Sequence, residues 1–195
     1  MPDTRFAAAL AAIDAASAED PNVETVDGAR VPKELAYARR MTGWLERLAP
    51  DASDALRLAV RAQHIRRWTV PRDSYPIDRQ GYRRWRTALA RFHAETAGAL
   101  MKQAGYDAAA IERVGSLIRK ERLKTDPEAQ ILEDVACLVF LENYLADFAG
   151  KHDAAKVVEI LRKTWRKMSP RGREAALALD LAPEARRALD RALAG

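Results

Sequence analysis

Four side chains able to hold a metal ion or to carry a proton interrupt otherwise apolar helical rows in this chain: Glu34, His64, His93 and Asp134. Glu34 shares a face with Met41, Leu45 and Leu48, at spacings of seven, four and three. His64 continues the row Leu56–Val60 by a step of four, and His93 extends Trp85–Leu89 in the same way. Asp134 lies between Ile131 and Leu138, in line with Leu141 and Leu145. Residues three and four apart share a helix face, so four separate helices each present one such group to the core. Burying a carboxylate or a charged imidazole costs several kcal/mol unless it is paired or bound to an ion. That cost argues that the four meet. Taken singly, each has a plainer reading: a core histidine satisfied by a hydrogen bond, or a buried aspartate acting as an acceptor.

A second chemical feature is where the positive charge sits. The net charge is +5, yet Arg61 to Phe92 holds nine Arg, no Lys and only Asp73 and Asp78. That segment has a balance of +7, leaving −2 for the rest. Trp68, Tyr75, Tyr82, Trp85 and Phe92 alternate with the arginines. Guanidinium groups pair bidentately with phosphate oxygens and aromatic rings stack on bases, so the segment suits a phosphorylated small molecule, a nucleotide or RNA. The alternative is a solvated helix face whose arginine stems pack over aromatic edges.

The elements that must position these groups read as helices nearly throughout. Phe6, Leu10 and Ile13 mark a short first helix, followed by a polar stretch from Ser17 to Arg30 with no strand alternation. Pro32 opens a second helix and Pro50-Asp51 ends it, proline being tolerated in a first turn where its missing N–H is not needed. A third helix is expected from about Ser53 to Trp68. Pro71 and Pro76 make Thr69 to Gln80 a defined loop. A long helix follows from about Tyr82 to Gln103, stopped by Gly105. Asp107, Asp126-Pro127 and Asp153 start further helices, the second of them running from Ile131 to about Phe148. Ser169-Pro170 and Ala182-Pro183 start two short terminal ones. The expected class is all-α, with eight or nine helices in one domain over residues 1–195: a helix and polar lead-in (1–30), a core (31–150) and C-terminal helices (151–195).

Composition removes several classes. A chain of 195 residues, 48% hydrophobic and 31% charged, can bury a sizeable core and is too apolar for disorder. No run approaches the roughly 20 apolar residues that span a bilayer, so no membrane partner is expected. Met1-Pro2-Asp3-Thr4-Arg5 lacks the apolar stretch of a secretory signal, and cytoplasmic residence is the expectation. Cys137, the lone cysteine, sits among Val135, Leu138 and Val139 and reads as an inert core thiol. There is no phosphate-cradling glycine loop.

The order of Glu34-Leu-Ala-Tyr-Ala-Arg-Arg-Met, Ala62-Gln63-His64-Ile65, His93-Ala-Glu95 and Leu132-Glu133-Asp134-Val135-Ala136 resembles the HD (histidine–aspartate) superfamily. That resemblance covers Lys33 to about Leu145. It implies an HD-like multi-helix fold, one or two divalent metals, and hydrolysis of phosphate esters of nucleotides. Over its full length the chain is similar to a family known only as a domain of unknown function, number 4202. The residues carrying that likeness are His64-Ile-Arg-Arg-Trp68, Pro71-Arg-Asp-Ser-Tyr-Pro76, Leu132-Glu-Asp-Val-Ala-Cys-Leu-Val-Phe140 and Lys163-Thr-Trp-Arg-Lys-Met-Ser169.

The HD pattern is altered at three points. The central His-Asp pair reads His64-Ile65, the first His is replaced by Glu34, and the stretch that often holds a His pair reads Ile118-Arg-Lys120-Glu121. His152-Asp153 matches the pair by letters but follows the late Asp, outside the required order. Under the resemblance, Glu34, His64 and Asp134, with His93 nearby, would hold manganese or magnesium ahead of zinc. A metal-bound water would then attack the phosphoryl group, and Arg66, Arg67 and Lys120 would contact the phosphate. Alternatively, Lys120 pairs with Asp134 in place of a metal, leaving a metal-free, positively lined pocket that binds an anion. The functional readings carried forward are a metal-dependent phosphohydrolase, a non-catalytic module that binds a nucleotide or RNA, and a structural or partner-binding protein in which the polar set only holds helices together.

Overall fold

The structure, a computed structural model, describes residues 4–194. The all-α class holds, with ten α-helices among the described residues rather than eight or nine, and one small two-stranded sheet. No helix among the described residues is long and apolar enough to cross a membrane. The chain divides into two compact units, Met1–Arg122 and Leu123–Gly195.

The first unit begins with α1 (Thr4–Ala18) and a hairpin of β1 (Val23–Val26) and β2 (Ala29–Pro32). It continues through α2 (Lys33–Leu48), α3 (Asp54–Arg61), two 3-10 turns (Arg67–Thr69 and Arg72–Ser74), α4 (Arg79–Gln103) and α5 (Ala108–Ile118). Helix α3 packs between α2 and α5, and α5 lies along α4. Ile13, Met41, Leu45, Leu56, Leu58, Met101 and Leu117 fill its core. Arg61 ties three helices together: it donates to both carboxylate oxygens of Asp14, at 2.6 and 2.8 Å, and to the Thr42 hydroxyl at 3.0 Å.

Three expectations need correction here. The polar stretch after α1 contains the hairpin, paired Val23 to Pro32 through Val26 to Ala29. Its turn is Asp27-Gly28, both at positive φ (49° and 80°), the pairing of residues that a tight hairpin turn favours. Helix α2 starts at Lys33, with Pro32 in the capping position before it. Helix α3 stops at Arg61 instead of reaching Trp68. There the chain tightens into i to i+3 turns, Ile65 N–H to Ala62 O and Arg67 N–H to His64 O, each 3.0 Å. Arg66 then takes a left-handed conformation (φ 50°), which ends any helical path. The bend sends Ile65 into the core, where it is 1% exposed.

The loop from Thr69 to Asp78 is as well defined as its two prolines imply. Arg72 donates to the carbonyls of Tyr75 and Pro76 at 2.9 and 2.8 Å, and Trp85 Nε1–H donates to the Val70 carbonyl at 2.9 Å. Asp78 caps α4 through the Gly81 N–H. A Cβ at Gly81 would fall 2.0 Å from the Pro76 carbonyl oxygen, so only glycine lets the loop close against the helix.

The second unit holds α6 (Pro127–Asn143), α7 (Leu145–Lys151), α8 (Ala154–Lys167), α9 (Pro170–Leu177) and α10 (Pro183–Leu193). The expected apolar helix from Ile131 to Phe148 is broken at Tyr144 (φ −125°, ψ −14°), which starts α7 as a separate element and raises the helix count. Helix α6 packs on α7, α8 and α9, and α10 packs on α8.

Candidate functional site

The candidate site is built where three elements of the first unit meet: the start of α2, the turn after α3, and the middle of α4. Pro32 supplies no capping side chain, and the buried carboxylate of Asp20 serves instead. Its Oδ2 accepts from the Glu34 N–H at 3.0 Å, while Oδ1 accepts from Asn22 N–H at 2.9 Å. That fixes the first turn of α2, from which Glu34 and Tyr37 both reach His64. The Tyr37 and His64 rings stack with centroids 4.0 Å apart and planes 9° from parallel. His64 Nδ1 lies 3.5 Å from Glu34 Oε2, and its Nε2 lies 3.5 Å from Arg67 Nη1. His93, on α4, places Nδ1 2.8 Å from the Ile65 carbonyl oxygen. Its ring centroid stands 6.0 Å from that of His64.

The electrostatics follow from burial and from local positive charge. Burial pushes Glu34 up from 4.5 to about 7, with Arg67 pulling the other way and Asp20 adding to the rise. Burial, then the Arg67 guanidinium, hold His64 well below its usual 6.5. Burial likewise lowers His93 to about 4, against the hydrogen bond to Ile65, which favours the charged ring. Both histidines are therefore neutral near pH 7, and the 3.5 Å His64–Glu34 contact is not an ion pair there. A carbonyl oxygen only accepts, so His93 Nδ1 carries the proton and Nε2 the lone pair. That Nε2 is buried and has no hydrogen-bond partner among the described residues.

Beside these rings opens a cavity of about 450 Å³ lined by Gln63, His64, Arg67, Arg86, Thr87, Arg91, His93, Ile118, Arg119, Lys120 and Glu121, with some apolar surface. Five of its side chains are cationic and one, Glu121, is a carboxylate. Arg119 is already engaged by Glu112 and Glu121, at 2.6 and 2.7 Å. Arg67 also lies over the Trp85 ring, 4.8 Å from its centroid.

Of the residues singled out by sequence, His64, His93, Arg67 and Lys120 line this one cavity, and Glu34 touches it through His64. Lys120 reaches the wall from a left-handed turn (φ 56°) just past α5. Arg66 pairs instead with Glu19, at 2.7 Å. Asp134 belongs to the second unit, where both of its oxygens accept hydrogen bonds. Oδ1 takes the Ser169 N–H at 2.8 Å and the Gln130 amide at 3.0 Å, and Oδ2 takes the Ser169 hydroxyl at 2.5 Å. Among the described residues, no three of His, Cys, Asp and Glu are grouped so as to hold a metal ion.

Sequence reasoning did not single out Arg86, Arg91 or Tyr37. Arg86 had a legible signal, since it precedes His93 by seven residues on the same face of α4, and Tyr37 follows Glu34 by three on α2. No curated protein and no solved structure matches the chain. The family model described as a domain of unknown function (DUF4202) matches residues 7–189, and the chain belongs to that family.

Proposed function

We propose that the first unit binds a phosphorylated small molecule or nucleotide in this cavity without a metal ion, its phosphate held by Arg67, Arg86 and Lys120. The observation that carries this reading is the charge of the wall: five cations against a single carboxylate that Arg119 already engages. Arg86 and Arg91 have no ion-pair partner among the described residues. Cations gathered on a concave wall repel one another, and a phosphate relieves that repulsion through charge-assisted bonds. The volume falls within the range of about 300–1,000 Å³ that small-molecule ligands occupy. A small ligand is favoured over RNA because Arg61, Arg66 and Arg72 of the arginine–aromatic segment bind partners within the chain.

Glu34, His64 and His93 keep the chain order of the HD ligands, but their surroundings favour an anion over a cation. Arg67 stands 3.5 Å from His64 Nε2 and Lys120 shares the wall. Positive charge at those points opposes magnesium, manganese or zinc, and Asp134 keeps its bonds in the second unit.

Titration calorimetry with pyrophosphate and with AMP tests the binding. Both are expected to bind, with affinity falling as salt rises, and Arg86→Ala is expected to weaken each about tenfold. No binding of either at millimolar concentration would overturn the proposal.

Hydrolysis of the bound ester is a second reading, favoured by one observation: the Glu34 carboxyl, which exchanges its proton near neutral pH, touches a neutral imidazole on the cavity wall. Phosphate release from a nucleotide panel, lost in Glu34→Gln while binding persists, is the result expected of an enzyme. Binding without release would leave the protein a ligand-binding module.

A further inference from the structure

The cavity is lined by two kinds of polar residue that a fully deprotonated phosphate does not satisfy together. Arg67, Arg86 and Lys120 can only donate hydrogen bonds. His93 can only accept at its remaining nitrogen, because Nδ1–H is committed to the Ile65 carbonyl at 2.8 Å. The ring is 2% exposed, and Nε2 is buried without a partner among the described residues. Leaving such an acceptor unpaired costs about 1–3 kcal/mol, and groups of this kind in native proteins call for an explanation. His64 adds a second neutral ring, whose Nε2 has Arg67 only at a marginal 3.5 Å. Movement of Arg67 onto a phosphate would release that nitrogen as an acceptor too.

A phosphate oxygen fits the cations and a hydroxyl fits the imidazoles. We infer that the ligand is a phosphate ester whose alcohol portion carries a free hydroxyl, as in a sugar phosphate or a nucleotide, and that His93 Nε2 accepts from that hydroxyl. This inference rests on the phosphate-binding reading above and narrows it to a substrate class. Inorganic phosphate, pyrophosphate and simple alkyl phosphates supply the anion but no alcohol donor.

Calorimetric titrations with ribose 5-phosphate, methyl phosphate, AMP and 2′,3′-dideoxy-AMP separate the outcomes. Ribose 5-phosphate is expected to bind at least about tenfold more tightly than methyl phosphate, and AMP likewise above its dideoxy analogue. His93→Asn places an amide N–H where Nδ1 stands, keeping a donor for Ile65 while deleting the acceptor at the Nε2 position. It is expected to erase the hydroxyl preference, read as the ratio of ribose 5-phosphate to methyl phosphate affinity within the same variant. His93→Gln, whose amide reaches further, is expected to restore part of the preference. Circular dichroism establishes that each variant is folded. AMP binding above ribose 5-phosphate would identify a nucleotide ligand, and equal binding a sugar phosphate. Phosphate binding with no hydroxyl preference, or a preference that survives in His93→Asn, would overturn this inference alone. Failure of all four compounds to bind would overturn the phosphate reading and this inference with it.

Discussion

Asp134→Ala is expected to destabilise the second unit by about 3–5 kcal/mol, whether or not any divalent metal is present. The carboxylate is 2% exposed and accepts from both the backbone and the hydroxyl of Ser169. Ser169 is in turn the N-cap of α9, its Oγ accepting from the Gly172 N–H at 3.1 Å. Gln130, one turn earlier on α6, bridges Asp134 to the Lys167 carbonyl at the end of α8. One buried carboxylate therefore joins α6 to the junction of α8 and α9, across 35 residues of sequence. Hydrogen bonds to a charged group contribute about 1.5–3 kcal/mol each, and their loss also strands the Ser169 donors. Denaturant unfolding followed by circular dichroism measures the loss, and hydrogen exchange should place it in α8 and α9. Ser169→Ala should reproduce about half the effect, and the double variant should fall short of the sum, because the two residues share their bonds. An Asp134→Ala protein as stable as wild type would refute this role.

Glu34→Gln is expected to stabilise the protein at pH 8 by about 3 kcal/mol, an advantage that disappears near pH 4.5. The folded-state pKa of Glu34 is raised from 4.5 to about 7, mainly by burial. A raised pKa means that the folded protein binds the proton more tightly than the unfolded chain. The resulting stability is fully present below pH 4.5 and is lost as the pH rises to about 7. Above that, the folded state carries a buried carboxylate that the unfolded chain leaves in water. Glutamine is neutral throughout and matches glutamate in size and shape. The histidines act with the opposite sign: His93, lowered to about 4, removes stability as the pH falls from 6.5. The wild-type curve alone would mix the two effects. The difference between wild type and Glu34→Gln, taken from unfolding free energies at pH 4.5, 6, 7 and 8, cancels most of the histidine contribution. A difference that does not change with pH would refute the raised pKa.

Local sequence chemistry determined most of the helical frame. Asp107, Asp126, Asp153 and Ser169 each accept the capping N–H that their place before an apolar helix implies. Apolar spacing also marked Glu34, His93 and Asp134 as buried, and they are 8%, 2% and 2% exposed. The hairpin escaped the reading, because its four-residue strands are too short for alternation to show and only Asp27-Gly28 carries a turn signal. Other features had no local signal. Nothing in the residue types at Arg66 or Lys120 announces a left-handed backbone, yet those two turns aim Arg67 and Lys120 at the cavity.

Burial and partnership are different kinds of information. Periodicity reports which side of a helix faces the core, because that depends only on residues within a turn or two of one another. It does not report which distant donor or acceptor arrives there. Asp134 finds Ser169, His93 finds the Ile65 carbonyl, and Glu34 finds His64 only once separate helices have packed. The sequence thus determined that these polar groups must be satisfied inside the protein. Tertiary packing decided that Asp134 holds three helices together while the histidines meet a cavity lined with arginine, because each partner comes from another segment of the chain.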